Sequence, residues 1–226
     1  MKHCIPAYIH WSDDVQWGRL LTTIRPGDIA VITGPSSGPP TEQADRVALG
    51  ARIAQLRTAG AIVVGYVAWG YGHKRANVIT DELHQWHRMG VDGAWIDEAP
   101  ATYDPDLRRV AQGLHGYVRS WRPHADTKML RGLSCWNPGT WEPGINDIMR
   151  SLPASLWCTV ECAAVDYPGR ATDRRSSWPL REIHLAHTAP SPEAAHDIER
   201  LMAKVVGWGY ATDDGRDGNP WDTVRP

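Results

Sequence analysis

Asp97 and Glu98 close the apolar run of VDGAWIDEAPATY (91–103), and Glu161 closes LWCTVE (156–161). A carboxylate at the mouth of a strand is costly unless it is hydrogen-bonded, paired or solvated. An isolated Asp-Glu pair would be read first as a structural anchor. A third carboxylate at a matching strand end changes the balance. Two carboxyl groups facing each other can divide acid and base work, as in glycoside hydrolysis, where one protonates the leaving oxygen and the other attacks or activates water.

For these groups to meet, the elements must bring two distant segments to one mouth. Strand-like runs recur at 4–10, 28–34, 61–67, 91–97, 127–135, 156–161, 181–188 and 210–214. Between them lie amphipathic or capped helical stretches at 12–24, 41–60, 77–90, 105–121, 145–152 and 191–209, or long loops. Such alternation implies parallel strands with right-handed crossovers. Eight units predict an α/β fold, a single (β/α)8 TIM-type barrel spanning 1–226. A doubly wound open sheet is the alternative, but its usual phosphate fingerprint is missing.

A barrel of this type collects function at the C-terminal ends of its strands. The strand ends supply His10 and Trp11, Ser36 and Ser37, Tyr66, Trp69 and Tyr71, Asp97 and Glu98, Asn137, Glu161, His187, and Asp213 and Asp214. Carboxylates, aromatics and amides without a basic cluster or nucleophile elbow suit sugar better than phosphate. Adjacent strands lie roughly 4.8 Å apart, so strands four and six are separated by about 10 Å at the backbone. Inward side chains would narrow that to about 5 to 9 Å, which covers both retaining and inverting geometries. Consecutive strand residues point to opposite faces. Asp97 and Glu98 therefore share a role only if the strand breaks into loop between them.

Composition narrows the classes. The formal charge of -2 gives no basic field for nucleic acid, and no window is long and apolar enough for a membrane span. The opening MKHCIPAYIHW lacks a signal-peptide pattern and reads as a core strand. As encoded, the chain is expected in the cytosol; an upstream true start or a non-standard export route would place it outside the cell. Cys4, Cys135, Cys158 and Cys162 match no zinc spacing, so buried reduced thiols are expected. Asp81, His84 and His87 lie three apart along a helix and could be drawn as a metal site, but a solvated helix face is the simpler account. No metal and no cofactor is expected.

The aromatic set is skewed: 12 Trp, 7 Tyr and no Phe. Trp11, Trp69, Tyr71, Tyr103, Trp136, Trp141, Tyr167 and Trp178 fall in expected loops. Most should pack in the core, while a few at one rim would stack on sugar rings. Arg170, Arg174, Arg175 and Arg181 make the segment after Glu161 locally basic, as solvated loops often are.

The order of IPAYIHW, VITGPSSGPP, VVGYVAWGYGHK, VDGAWIDEAP, WNPGT, CTVE with DYPGR, and NPWDTVRP resembles the spherulation-specific family 4 (spherulin-4-like) proteins, grouped with glycoside hydrolase family 135. The resemblance covers nearly the whole chain. It implies a (β/α)8 barrel and an endo-acting hydrolase of polysaccharides with α-1,4-linked N-acetylgalactosamine. The family's Asp-Glu pair falls on Asp97 and Glu98, and its later acidic residue on Glu161. Its Gly-Tyr-Val strand and Tyr-Gly loop fall on Gly65, Tyr66, Val67, Tyr71 and Gly72, and its Asn-Pro-Gly turn on Asn137, Pro138 and Gly139. The expectation is thus a monomeric glycoside hydrolase of a poly- or oligosaccharide, without nucleic-acid or membrane partners. Asp97, Glu98 and Glu161 would carry acid, base or nucleophile roles, the assignment among them open. His10, Tyr66, Trp69, Tyr71, Trp136, Asn137 and Tyr167 would bind substrate. The alternatives are a carbohydrate-binding barrel without catalysis and an intracellular barrel enzyme acting on a small sugar-like metabolite.

Overall fold

A computed structural model describes every residue except 36, 101–103, 123–130, 140–144, 153–154, 173–178, 215–218, 223 and 225–226, and the side chains of 145–147 and 172. Eight parallel strands close into a barrel in chain order, β1 pairing with both β2 and β8. The strands are β1 (Lys2–Ala7), β2 (Ile29–Ile32), β3 (Ile62–Ala68), β4 (Gly93–Asp97), β5 (Leu133–Trp136), β6 (Leu156–Ala163), β7 (Glu182–His187) and β8 (Trp208–Ala211). Between them run α1 (Asp14–Thr23), α2 (Gln43–Thr58), α3 (Ala76–Arg88), α4 (Pro105–Ser120), α5 (Ile145–Ser151), α6 (Tyr167–Thr172) and α7 (Pro192–Met202). The expected (β/α)8 barrel is the observed architecture.

Local chemistry explains where the helices start. The Asp13 carboxylate caps α1 through Gln16 N at 3.0 Å, and Asp104 caps α4 through Asp106 N at 2.7 Å. Ser191 caps α7, and Pro105 and Pro192 occupy first-turn positions where a missing N–H costs nothing. Buried apolar residues then recur at helical spacing, as in Ile79, Leu83 and Trp86 of α3. No helix among the described residues is long and apolar enough to cross a membrane.

Strand limits differ from the sequence reading by one or more residues throughout: β2 ends at Ile32 instead of 34, β4 begins at Gly93 instead of 91, and β6 runs on to Ala163. β1 lies about two residues earlier than expected, and β8 begins at Trp208 instead of 210. β5 is described from Leu133, and the 127–130 part of its expected span lies outside the described residues. These limits follow the register with neighbouring strands, which a single segment cannot reveal.

The barrel interior is lined by alternate residues of each strand. Tyr66 of β3 is level with Trp95 of β4, which is level with Cys135 of β5. Burial pushes the thiols of Cys4, Cys135 and Cys158 up, and Cys4 lies close enough to the other two for their charges to interact. These three are buried free thiols, as expected, while Cys162 is half-buried. Gly65 faces outward: a Cβ there would lie 2.4 Å from Cδ2 of Trp86. The Trp86 indole occupies that space and donates to the carbonyl of Tyr66 at 2.8 Å, holding β3 against α3.

Candidate active site at the barrel mouth

The strand ends of β3 to β6 build the centre of the site. Asp97 is the last residue of β4, on the same face as Trp95, so it points into the mouth. Tyr66, two positions before the end of β3, donates its hydroxyl to Oδ2 of Asp97 at 2.7 Å. The Tyr66 ring is otherwise buried, so its hydroxyl is what it offers to the site. Tyr8, just after β1, packs its ring edge-on against Tyr66, with centroids 5.3 Å apart.

Glu161 reaches the mouth because β6 contains a bulge. Cys158 pairs with Ile183 and Val160 with His184, leaving Thr159 as an extra residue. Strict alternation would send Cys158 and Glu161, three positions apart, to opposite faces. The bulge resets the count. Thr159 turns outward to Oε2 of the buried Glu182 at 3.0 Å, and Glu161 comes level with Leu185.

Both oxygens of Glu161 are held. Asn137 Nδ2 donates to Oε2 at 2.6 Å, and Trp221 Nε1 donates to Oε1 at 3.1 Å. Asn137 is itself buried and fixed by the loops around it. Its N–H donates to Ile96 O at 2.9 Å, its carbonyl accepts from Ala99 N at 2.8 Å, and its Oδ1 accepts from Gly139 N at 3.1 Å. The loop after β4 and the turn after β5 are thereby locked to one another.

The electrostatics distinguish Asp97. Burial is the main reason its carboxyl is pushed up to about 6; the Tyr66 hydroxyl opposes that shift, and the nearby Glu161 and Glu98 charges add to it. Burial of an anion and like-charge repulsion both favour the protonated form. The Glu161 charge thus acts on Asp97 across the mouth.

Glu98 answers the question its sequence position raised. The strand ends at Asp97, and Glu98 takes φ 49°, in the left-handed region. The alternation of the strand is broken there, so Glu98 does not simply face away from Asp97. Its charge acts on Tyr66, Tyr71 and Asp97, and its carbonyl accepts from Tyr71 N at 2.6 Å. Ser37, Tyr71 and Thr188 also have positive φ, between 54° and 57°. Among the described residues, all four non-glycine positions of this kind follow the C-terminal ends of strands. Such backbone is unfavourable for L-residues and tends to persist where function requires it.

The predicted substrate-binding set divides. Tyr66, Tyr71, Asn137 and His10 lie at the mouth; Tyr71 is 54% exposed, its hydroxyl beside the turn at Gly139. Trp69, Trp136 and Tyr167 do not form a rim, which corrects their expected role. Trp69 and Trp136 are each 1% exposed and pack with Trp157 between the sheet and the helices, the Trp136 and Trp157 rings stacking at 5.8 Å. Trp136 occupies an outward-facing strand position, one residue before the inward Asn137. Tyr167 is fully buried beside His184, their side chains 2.8 Å apart. Tyr103, Trp141, Trp178 and Ser36 lie outside the described residues. Of the histidines considered for a metal, His84 bonds the Tyr117 hydroxyl at 3.0 Å and His87 stacks on Trp121.

Two residues at the centre escaped the strand-end list. Tyr8 sits one position beyond β1, and Trp221 comes from the C-terminal segment, beyond every strand. The backbone joins them: Tyr8 N donates to the Trp221 carbonyl at 2.8 Å. The only sequence signal for Trp221 was its place in the terminal NPWDTVRP motif.

Residues 3–226 match the family model of spherulation-specific family 4. The chain belongs to that family. A comparison with curated protein sequences finds no match. Among solved structures, this spherulation-specific family 4 chain is similar to Aspergillus clavatus Sph3 in complex with GalNAc, with a TM-score of 0.76 at 18% identity. That match covers 98% of this chain and 94% of Sph3. A mutant O-GlcNAc hydrolase of Thermobaculum terrenum is similar at a TM-score of 0.53 and 8% identity, over 93% of this chain and 54% of that one. At such identities the likeness speaks for the barrel fold of the spherulation-specific family 4 chain.

Proposed function

We propose that this protein is a glycoside hydrolase that cleaves within a polysaccharide containing α-1,4-linked N-acetylgalactosamine. The observation that carries this reading is the pair formed by Asp97 of β4 and Glu161 of β6, each fixed by dedicated donors, with Asp97 pushed up to about 6. An Asp97 carboxyl raised to about 6 can keep its proton in mildly acidic solution while facing a second carboxyl group. One group then protonates the glycosidic oxygen, while the other, ionised, attacks the anomeric carbon or activates water. Glu98 adds a third carboxyl group beside Asp97, suited to stabilising a developing oxocarbenium ion. Tyr71 and His10 are suited to contacting the sugar, while Tyr66 and Asn137 orient the two carboxylates. The choice of amino sugar is supported by family membership and by the GalNAc bound to Sph3.

The test compares the parent with Asp97→Asn and Glu161→Gln on an N-acetylgalactosamine polymer, measuring new reducing ends. Each variant should lose at least about 10²-fold in rate, the scale of acid–base contributions. Undiminished release by both would remove these residues from the mechanism. Oligosaccharide binding without turnover by the intact protein would make it a binding barrel instead.

A further inference from the structure

Beside the carboxylate centre, a second concavity of 320 Å³ lies between the loops that follow β1 and β2. Tyr8, His10, Trp11, Thr33, Ser37 and Asn219 are among its lining residues. Tyr8 is common to both: it lines this concavity, and its ring packs edge-on against Tyr66, the donor to Asp97.

We propose that this concavity is a second sugar subsite, which takes a pyranose unit of the same polymer at a distance from the bond being cleaved. The inference rests on the glycosidase reading of the mouth and extends it to the path of the chain. Its lining combines an aromatic face with small polar groups. The His10 and Trp11 rings lie 4.0 Å apart, tilted by 31°. Aromatic faces suit the C–H face of a pyranose, while hydroxyl and amide groups suit its equatorial edge. The volume falls at the lower end of ligand pockets, roughly 300 to 1,000 Å³, and fits a short stretch of glycan better than a large cofactor.

The loops are pre-shaped. Trp17 Nε1 donates to the His10 carbonyl at 3.0 Å, Arg52 Nε to the Trp11 carbonyl at 3.1 Å, and His10 Nδ1 lies 2.7 Å from the Ser12 hydroxyl. On the other wall Gly34 N donates to Gly38 O at 2.6 Å, and Ser37 has φ 55°. His10, Ser37 and Asn219 nonetheless remain exposed. Backbone tied by such bonds, with side chains left exposed, loses less entropy when a ligand binds. A chain seated at Asp97 and Glu161 would pass over Tyr8 toward Trp11, so longer substrates would gain contacts that short ones lack.

Trp11→Ala and Trp11→Phe are compared with the parent on GalNAc trimer and on polymer. The ratio of polymer to trimer kcat/KM should fall about tenfold in Trp11→Ala and stay close to parental in Trp11→Phe, which keeps a ring face. Calorimetry of the same oligomers with Glu161→Gln, alone and combined with Trp11→Ala, gives a readout independent of turnover. There the rise of affinity with chain length should vanish with the indole. Polymer cleavage with an unchanged length ratio in Trp11→Ala would overturn the subsite and leave the glycosidase reading standing. Length-dependent, Trp11-sensitive binding with no turnover by the parent would do the reverse. Absence of both binding and turnover would overturn both.

Discussion

Trp221 Nε1 donates to Oε1 of Glu161 at 3.1 Å across 60 positions of chain. The C-terminal segment thus reaches back over the mouth and completes the setting of a carboxylate on β6. Further ties among the described residues include the bond from Tyr8 N to the Trp221 carbonyl and one from Val224 N to Gln16 Oε1 at 3.0 Å. Trp221 also lies edge-on to His187, so it links the ends of β1, β6 and β7.

Trp221→Phe keeps an aromatic ring and removes the donor. Hydrogen bonds to charged groups are worth about 1.5 to 3 kcal/mol. The expected result is a fall in kcat of roughly tenfold to a hundredfold, with little change in KM, because the bond orients Glu161 and does not hold the sugar. Steady-state kinetics would check this; a rise in KM alone would place Trp221 among the sugar contacts instead.

The pH profile follows from the proton that Asp97 carries. In the proposed mechanism the productive form has Asp97 protonated, and Asp97 loses that proton at about 6. The rate should therefore fall as pH rises through about 6. The Tyr66 hydroxyl stabilises the ionised form of Asp97. Tyr66→Phe should thus move the alkaline limb upward by about one pH unit, read from kcat/KM against pH. A downward movement would contradict the assigned hydrogen bond.

The same carboxyl makes a stability prediction. Its folded value of about 6 stands above the ordinary 3.8. Below about pH 4 Asp97 is protonated folded and unfolded, so its burial as an acid carries no ionisation cost. As pH rises through about 6, ionisation of the folded state lags that of the unfolded chain and stability is lost. Asp97→Asn, neutral at every pH, should be more stable than the parent above about pH 6, by up to about 3 kcal/mol, and equal to it near pH 4. Denaturant unfolding at pH 4 and pH 8 measures the difference.

Gly65→Ala tests the link between fold and site. The new Cβ would fall 2.4 Å from Trp86, whose indole holds the Tyr66 carbonyl. Overpacking of this kind costs about 1 to 3 kcal/mol. A lower Tm by calorimetry is expected, together with reduced activity as Tyr66 shifts from Asp97. A stable and fully active variant would show that the Trp86 contact is not needed to place Tyr66.

Alternating strand-like and helix-like runs determined the barrel, because burial on one helix face and on both strand faces leaves a local pattern in composition. The same logic placed Asp97, Glu98, Glu161, Asn137 and Tyr66 at one mouth, since parallel strands in a closed barrel all end on the same side. Composition could not separate rim from core among the aromatics. Trp136 and Asn137 are neighbours in sequence, yet strand alternation buries the indole under the helices and turns the amide to Glu161. Nor could spacing reveal the bulge at Thr159, which alone gives Glu161 the inward face; a ladder's register belongs to two strands at once. The left-handed turn at Glu98 and the return of Trp221 to Glu161 are likewise products of closure. They depend on contacts between segments far apart in the chain, and such contacts exist only once the barrel has formed.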